Sequence, residues 1–145
     1  MAEQDFLDRA ADYAFAELER VGGDPLKLDT PLLTIAVLYH FQGMVDNGAF
    51  RYAFENNFPF SPPYSMFADA YRRIGATQAA ENLERSVAMF PFENPHEHEE
   101  ERNAFMDSLN ESDKFFELGD EVCGDESIWT AMEEYAVKHA ASFHL

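Results

Sequence analysis

The densest run of chemically capable side chains in this 145-residue chain is His96-Glu97-His98-Glu99-Glu100-Glu101. Imidazoles and carboxylates together can ligate a divalent cation. A helical zinc site, however, needs its second histidine four positions after the first, so that both ligands share one face. Four positions beyond His98 stands Arg102, a cation where a ligand is required. A metal-dependent enzyme centred on His96 and His98 is therefore kept only as a third functional reading, and no metal or other cofactor is expected. Cys123 lies in an acidic neighbourhood, which disfavours the thiolate a nucleophile needs, so it is expected to pack as a buried or half-buried side chain. Serines and histidines occur without a Gly-x-Ser-x-Gly turn. The glycines read as turns and helix ends, not as a phosphate loop. Carboxylates are too numerous for any one pair to stand out as acid and base. No catalytic residue is predicted.

What the acids can do is bind. Between Glu93 and Glu134 stand 15 Asp/Glu against only Arg102 and Lys114, a net of −13 over 42 residues in a protein of net charge −18. Such a surface repels nucleic acid and anionic membranes and attracts basic partners. Direct nucleic-acid binding is opposed because it rests on cations meeting phosphates. Life in high salt would also favour an acid-rich chain with few lysines. That adaptation coats a whole surface, whereas residues 1–73 carry 11 acids and 6 bases, a net of −5.

Positioning these acids falls to helices. Hydrophobic residues make up 46% of the chain, enough to bury a core and too many for a disordered acidic tail. Phe6, Ala10, Tyr13, Ala14, Leu18 and Val21 recur at helical steps before Gly22-Gly23. Thr30-Pro31 reads as a hydroxyl cap followed by proline, opening an apolar helix that should stop near Asn47-Gly48. Further helices are expected over about 63–74 and from a Thr77 cap to Phe90, then over about 96–109, 113–123 and 125–140. No stretch alternates with period two, so the fold class is all-α, a single domain of six to eight helices. Residues 1–29 form an N-terminal helix and loop, 30–92 the apolar core helices, and 93–145 the acidic helices. A lone cysteine, the absence of a leader pattern and the lack of a long apolar run fit a cytoplasmic protein.

One segment differs in kind. Asn47-Gly48-Ala49-Phe50-Arg51-Tyr52-Ala53-Phe54-Glu55-Asn56 reads as a helix–turn–helix junction with aromatic anchors, or as a ligand site built on the Asn47 and Asn56 amides. It resembles the Asn-Gly-Gly-Phe-x-Gln-Phe-Phe-x-Asn run of the DNA-mimic-protein-19-like family of bacteria, matching at Asn47, Gly48, Phe50, Phe54 and Asn56. Ala49 replaces the second glycine, Tyr52 the glutamine and Ala53 an aromatic, while Met44 stands where a glutamate is usual. Ala70 to Ala76, Asp113 to Leu118 and Trp129 to Tyr135 resemble later parts of the same family, so the likeness spans about residues 30–140.

The resemblance implies an all-helical fold and, for the family's best-known member, an acidic surface that imitates duplex DNA. The missing glutamate, second glycine and glutamine leave two readings: if those positions serve a common ligand, this chain has lost it, and if they only shape the turn, the fold is kept. Physically, B-DNA offers about one charge per 1.7 Å of axis, and helix neighbours three or four apart set carboxylates roughly 5–6 Å from each other. Adjacent acidic helices can approach that density. The acids mapped to a partner surface are Glu97, Glu100, Glu101, Asp107, Glu111, Glu117, Asp120, Glu121, Asp125, Glu126, Glu133 and Glu134. The expected partner is a protein, a DNA-binding one in the mimic reading. The alternative is an interaction or structural domain that forms a homodimer through Phe58-Pro59-Phe60, with the acids only solubilising; it requires an exposed Phe58 or Phe60.

Overall fold

The computed structural model describes residues 5–144. Seven α-helices follow one another: α1 Phe6–Arg20, α2 Thr30–Phe54, α3 Tyr64–Arg73, α4 Thr77–Ala88, α5 Glu99–Ser108, α6 Lys114–Asp120 and α7 Glu126–Lys138. Short 3-10 turns occupy Pro25–Lys27, Pro95–Glu97 and Ala140–Phe143, and no strand occurs among the described residues. The fold is all-α, as expected. Aspartates cap three helices through their side chains: Asp5 to Asp8 N, Asp113 to Phe115 N and Asp125 to Ser127 N. Two expected hydroxyl caps are absent. Thr30 and Thr77 are the first helical residues, and Asp29 and Ala76 precede them without a capping side-chain bond.

Helix α2 is the axis of the fold, packed against by α1, α3, α5, α6 and α7. Its apolar sequence allows this, since Leu32, Ile35, Ala36, Val37, Leu38, Phe41 and Val45 are all buried. Helix α1 buries Leu7, Ala10, Ala11 and Ala14. Phe6, Tyr13, Leu18 and Val21, read as inward-facing, are only half-buried. Its contact face is a narrow alanine seam, turned about one position from the stripe of large side chains, because small residues let two helices approach closely.

The expected stop at Asn47-Gly48 is a break within α2. Gly48 is extended (φ −169°, ψ 25°) and Ala49 is left-handed (φ 57°, ψ −164°), after which the helix resumes. The break has a packing purpose. Phe41 and Phe50 are nine residues, about two and a half turns, apart, so one straight helix would put them on opposite faces. Here both are buried, with ring centroids 6.4 Å apart. Phe54 then reaches Tyr64, Phe90 and Phe115 at 5.0, 5.2 and 5.7 Å.

The motif residues build this junction. A Cβ on Gly48 would lie 2.6 Å from the Tyr52 Cβ, which explains the glycine. Asn47 Nδ2 donates to the Gly43 carbonyl and Asn56 Nδ2 to the Tyr52 carbonyl, each at 2.8 Å, so both amides close the end of a helical segment. Ala49 occupies a backbone region that is essentially glycine's, where a side chain costs about 1–3 kcal/mol. It stands where the family run has its second glycine. Ala49→Gly is therefore expected to stabilise the protein by about 1 kcal/mol, the relieved strain exceeding glycine's greater unfolded freedom. Urea denaturation followed by circular dichroism checks it; an unchanged or lowered midpoint would contradict the strain.

Candidate functional site

The acidic stretch forms the outer side of α5, α6 and α7, all three seated on α2. Glu100 and Glu101 lie in the first turn of α5, where the helix dipole favours them. Glu97 precedes that helix, 3.7 Å from His96 Nε2. Glu111 is in the α5–α6 connection, Glu117 and Asp120 are on α6, and Glu126, Glu133 and Glu134 are on α7. Of the twelve mapped acids only Asp125 and Glu133 are half-buried; the others are exposed.

Four of them have work inside the chain. Asp107 accepts from Arg51 at 2.8 Å, Glu117 faces Lys114 at 3.4 Å, and Glu121 accepts from Asn82 Nδ2 at 2.8 Å. Asp125 accepts from the Ser127 amide at 3.0 Å and its hydroxyl at 2.6 Å as the cap of α7. Glu100, Glu101, Glu111, Asp120, Glu126, Glu133 and Glu134 make no ion pair or side-chain hydrogen bond among the described residues.

The stretch's two cations are treated differently. Lys114 is exposed, but Arg102 is fully buried and points inward. Its Nε donates to the Phe54 carbonyl at 2.8 Å and its Nη1 to the Pro95 carbonyl at 2.7 Å. Its Nη2 donates to the Asn56 carbonyl at 3.2 Å and to Asn57 Oδ1 at 2.7 Å. The guanidinium thus closes the C-terminal end of α2, where a cation is favoured, and leaves the acids uncompensated outside. Its sequence signal was only a lone arginine interrupting an acidic run.

A second polar group went unmarked in the sequence. Asp46, just before the break, accepts from Gln42 Nε2 and the Gly124 amide at 2.8 Å and from Trp129 Nε1 at 2.7 Å. Gln42, fully buried, also donates to the Val122 carbonyl at 3.1 Å and accepts from the Tyr71 hydroxyl at 2.6 Å. These bonds tie the α6–α7 turn, and so the acidic face, to the core. Cys123 in that turn is exposed, its Sγ 3.6 Å from the Asp46 carbonyl. The expected burial of Cys123 is wrong: Val122 and Ile128 fill the core on either side and leave the thiol outside.

His96 and His98 pack edgewise on Tyr64 and Phe92 at 6.3 and 6.1 Å, and no group of three or more His, Cys, Asp or Glu among the described residues is arranged to hold a metal ion. Of the aromatic loop, Phe58 is half-buried against Phe41 and Phe67, whereas Phe60 is 64% exposed. No described helix is long and apolar enough to cross a membrane.

Burial pushes the phenols of Tyr64 and Tyr39 up to about 12, the latter helped by its bond to Asp8, and pushes Tyr71 well above 10 with the Asp46 charge nearby. A phenol held neutral in the folded chain ionises first in the unfolded one, so the folded form binds more protons between about pH 10 and 12. Stability should accordingly fall as pH rises through that window, by about 2–3 kcal/mol for Tyr64 alone. Urea titrations at successive pH values check this, and a flat stability from pH 9 to 12 would contradict it.

No curated protein matches this chain, and no solved structure does. A family model does, that of the DMP19-like protein, across residues 26–139. The matched span runs from the turn before α2 to the end of α7 and takes in both the broken helix and the acidic face, so the chain belongs to the DMP19-like protein family.

Proposed function

We propose that this protein acts by binding, not by catalysis, and that its acidic face occupies the basic surface with which a DNA-binding or regulatory protein would otherwise hold DNA. The observation that carries the reading is the pairing of seven unpartnered carboxylates outside with Arg102 turned inside. A partner's lysines and arginines meet carboxylates with almost no competing cation. Membership of a family typified by a DNA mimic points the same way. Attraction of this kind speeds encounter and weakens as salt screens it.

The test is affinity capture from a lysate, washed at low and then high salt, followed by binding measurements on what is retained. A DNA-binding protein that elutes with salt and is displaced by duplex DNA is the expected result. Reversing Glu100, Glu101, Glu133 and Glu134 to lysine changes the net charge from −18 to −10, eight charges for four reversals. It should weaken low-salt affinity for that protein by about 10- to 100-fold while leaving helicity intact. Equal affinity for the reversed variant would overturn the proposal. Salt-resistant recovery of the chain bound to itself would favour homodimerisation through exposed Phe60 instead.

A further inference from the structure

Away from the acidic helices lies a feature unrelated to their carboxylates. A half-open cavity of about 150 Å3 is enclosed by Phe15 of α1, Ala36 and Val37 of α2, Met66 and Phe67 of α3, and Phe58 of the loop between α2 and α3. An apolar cavity of that size accommodates one benzene ring. Its walls offer the edges and faces of Phe15, Phe58 and Phe67, the surroundings in which another aromatic ring packs best.

Only one lining side chain is polar. His40 stands at the rim, solvent-exposed on one side and 5.7 Å edgewise from Phe58 on the other, without a hydrogen bond among the described residues. Partial burial lowers its pKa below the usual histidine value, so at neutral pH the ring is uncharged and can donate or accept.

The protein's own nearest free ring does not fill the space. Phe60 and Ser61 are both left-handed (φ 67° and 42°), and Ser61 N donates to the Phe58 carbonyl at 2.9 Å. This turn holds the Phe60 ring at the mouth, where a Cβ added to Gly23 would meet it at 3.6 Å. Two strained backbone positions thus keep an aromatic side chain beside a ring-sized hollow and not in it.

We infer that this cavity is a binding site for a small uncharged aromatic molecule of one ring, with a hydroxyl or similar polar group that bonds His40 at the rim. Such a ligand displaces water that apolar walls cannot satisfy, and its polar group stays at the wet edge. Charged aromatics are disfavoured because no ionised side chain lines the cavity.

Phenol is the probe. Titrated into the full chain labelled at methionine methyls and backbone amides, it should produce saturable shifts at Met66, Ala36 and Val37, with a low-millimolar or tighter Kd in keeping with its few heavy atoms. Intermolecular Overhauser contacts should join its ring protons to the Met66 methyl. His40→Ala should weaken phenol several-fold and leave benzene unchanged. Val37→Phe, which fills the hollow, should abolish both. Absence of saturable shifts in the wild type would overturn the proposal, as would contacts elsewhere on the surface. Undiminished binding by a folded Val37→Phe variant would do the same. If that variant fails to fold, the wild-type contacts to Met66 decide alone.

Discussion

Replacing Arg102 by methionine should cost about 3–5 kcal/mol, the largest effect of any single substitution in the acidic third. The figure follows from what is left behind. Three carbonyls and the Asn57 amide oxygen lose their donor together, and those of Phe54 and Pro95 are buried with the guanidinium. Methionine restores some volume but no donor, so the cost is that of stranded acceptors at the end of α2 and in the turn before α5. Lysine keeps the charge but cannot supply a planar fork to four acceptors, and should cost about half as much. Exposed Glu99, which reaches this group only through Asn57 at 2.7 Å, should matter little: Glu99→Gln is expected to cost under about 1 kcal/mol. Thermal unfolding followed by circular dichroism reads all three, with Arg102→Met lower by roughly 10–15 °C. A loss of only a degree or two would mean the acceptors find water and the burial is not as described.

Gly119→Ala is the second large effect, and its sign opposes the local rule. In most helix interiors alanine is preferred to glycine by about 1 kcal/mol. Here α6 crosses α2 at the break, and an alanine Cβ would sit 2.7 Å from the Phe50 backbone nitrogen and 3.1 Å from its Cβ. Backbone cannot swing away as a side-chain tip can, so the helices must separate. Because α6 also carries buried Phe115 and Leu118, separation loosens the aromatic cluster around Phe54. Net destabilisation of about 2–3 kcal/mol is expected. Equilibrium urea unfolding decides it, and a stabilised variant would show that α6 does not approach this closely. A variant with normal stability but weaker partner binding would place Gly119 in the acidic face's geometry, not the core's.

These two residues also mark where the sequence stopped being legible. The helices, their order and most of their ends follow from local periodicity and from glycine, proline and asparagine. So does the exposure of the acids, because charged side chains that crowd along short helices have nowhere to go but water. The aromatic anchors Phe50 and Phe54 were readable too. The state of Cys123 was not: an acidic neighbourhood that disfavours the thiolate pointed to an inert, packed thiol, but a turn aims each side chain separately. Thr30 and Thr77 looked like caps because local sequence signals carry an error of a residue or so.

What the sequence determined by itself is therefore an all-helical chain with an apolar centre and a load of carboxylates concentrated in its C-terminal third, all set by near neighbours and by water. The interruption near Asn47-Gly48 was legible too, but tertiary structure alone decided that Ala49 takes the left-handed conformation there and that Phe41 and Phe50 share one core. It also decided that Arg102 faces inward to carbonyls and an amide 45 to 48 residues earlier or 7 away. Asp46 gathers Gln42, Gly124 and Trp129 in the same way. Such partners share no spacing that local pattern can carry: each buried polar group is satisfied by whatever the packing of distant apolar surfaces brings within reach.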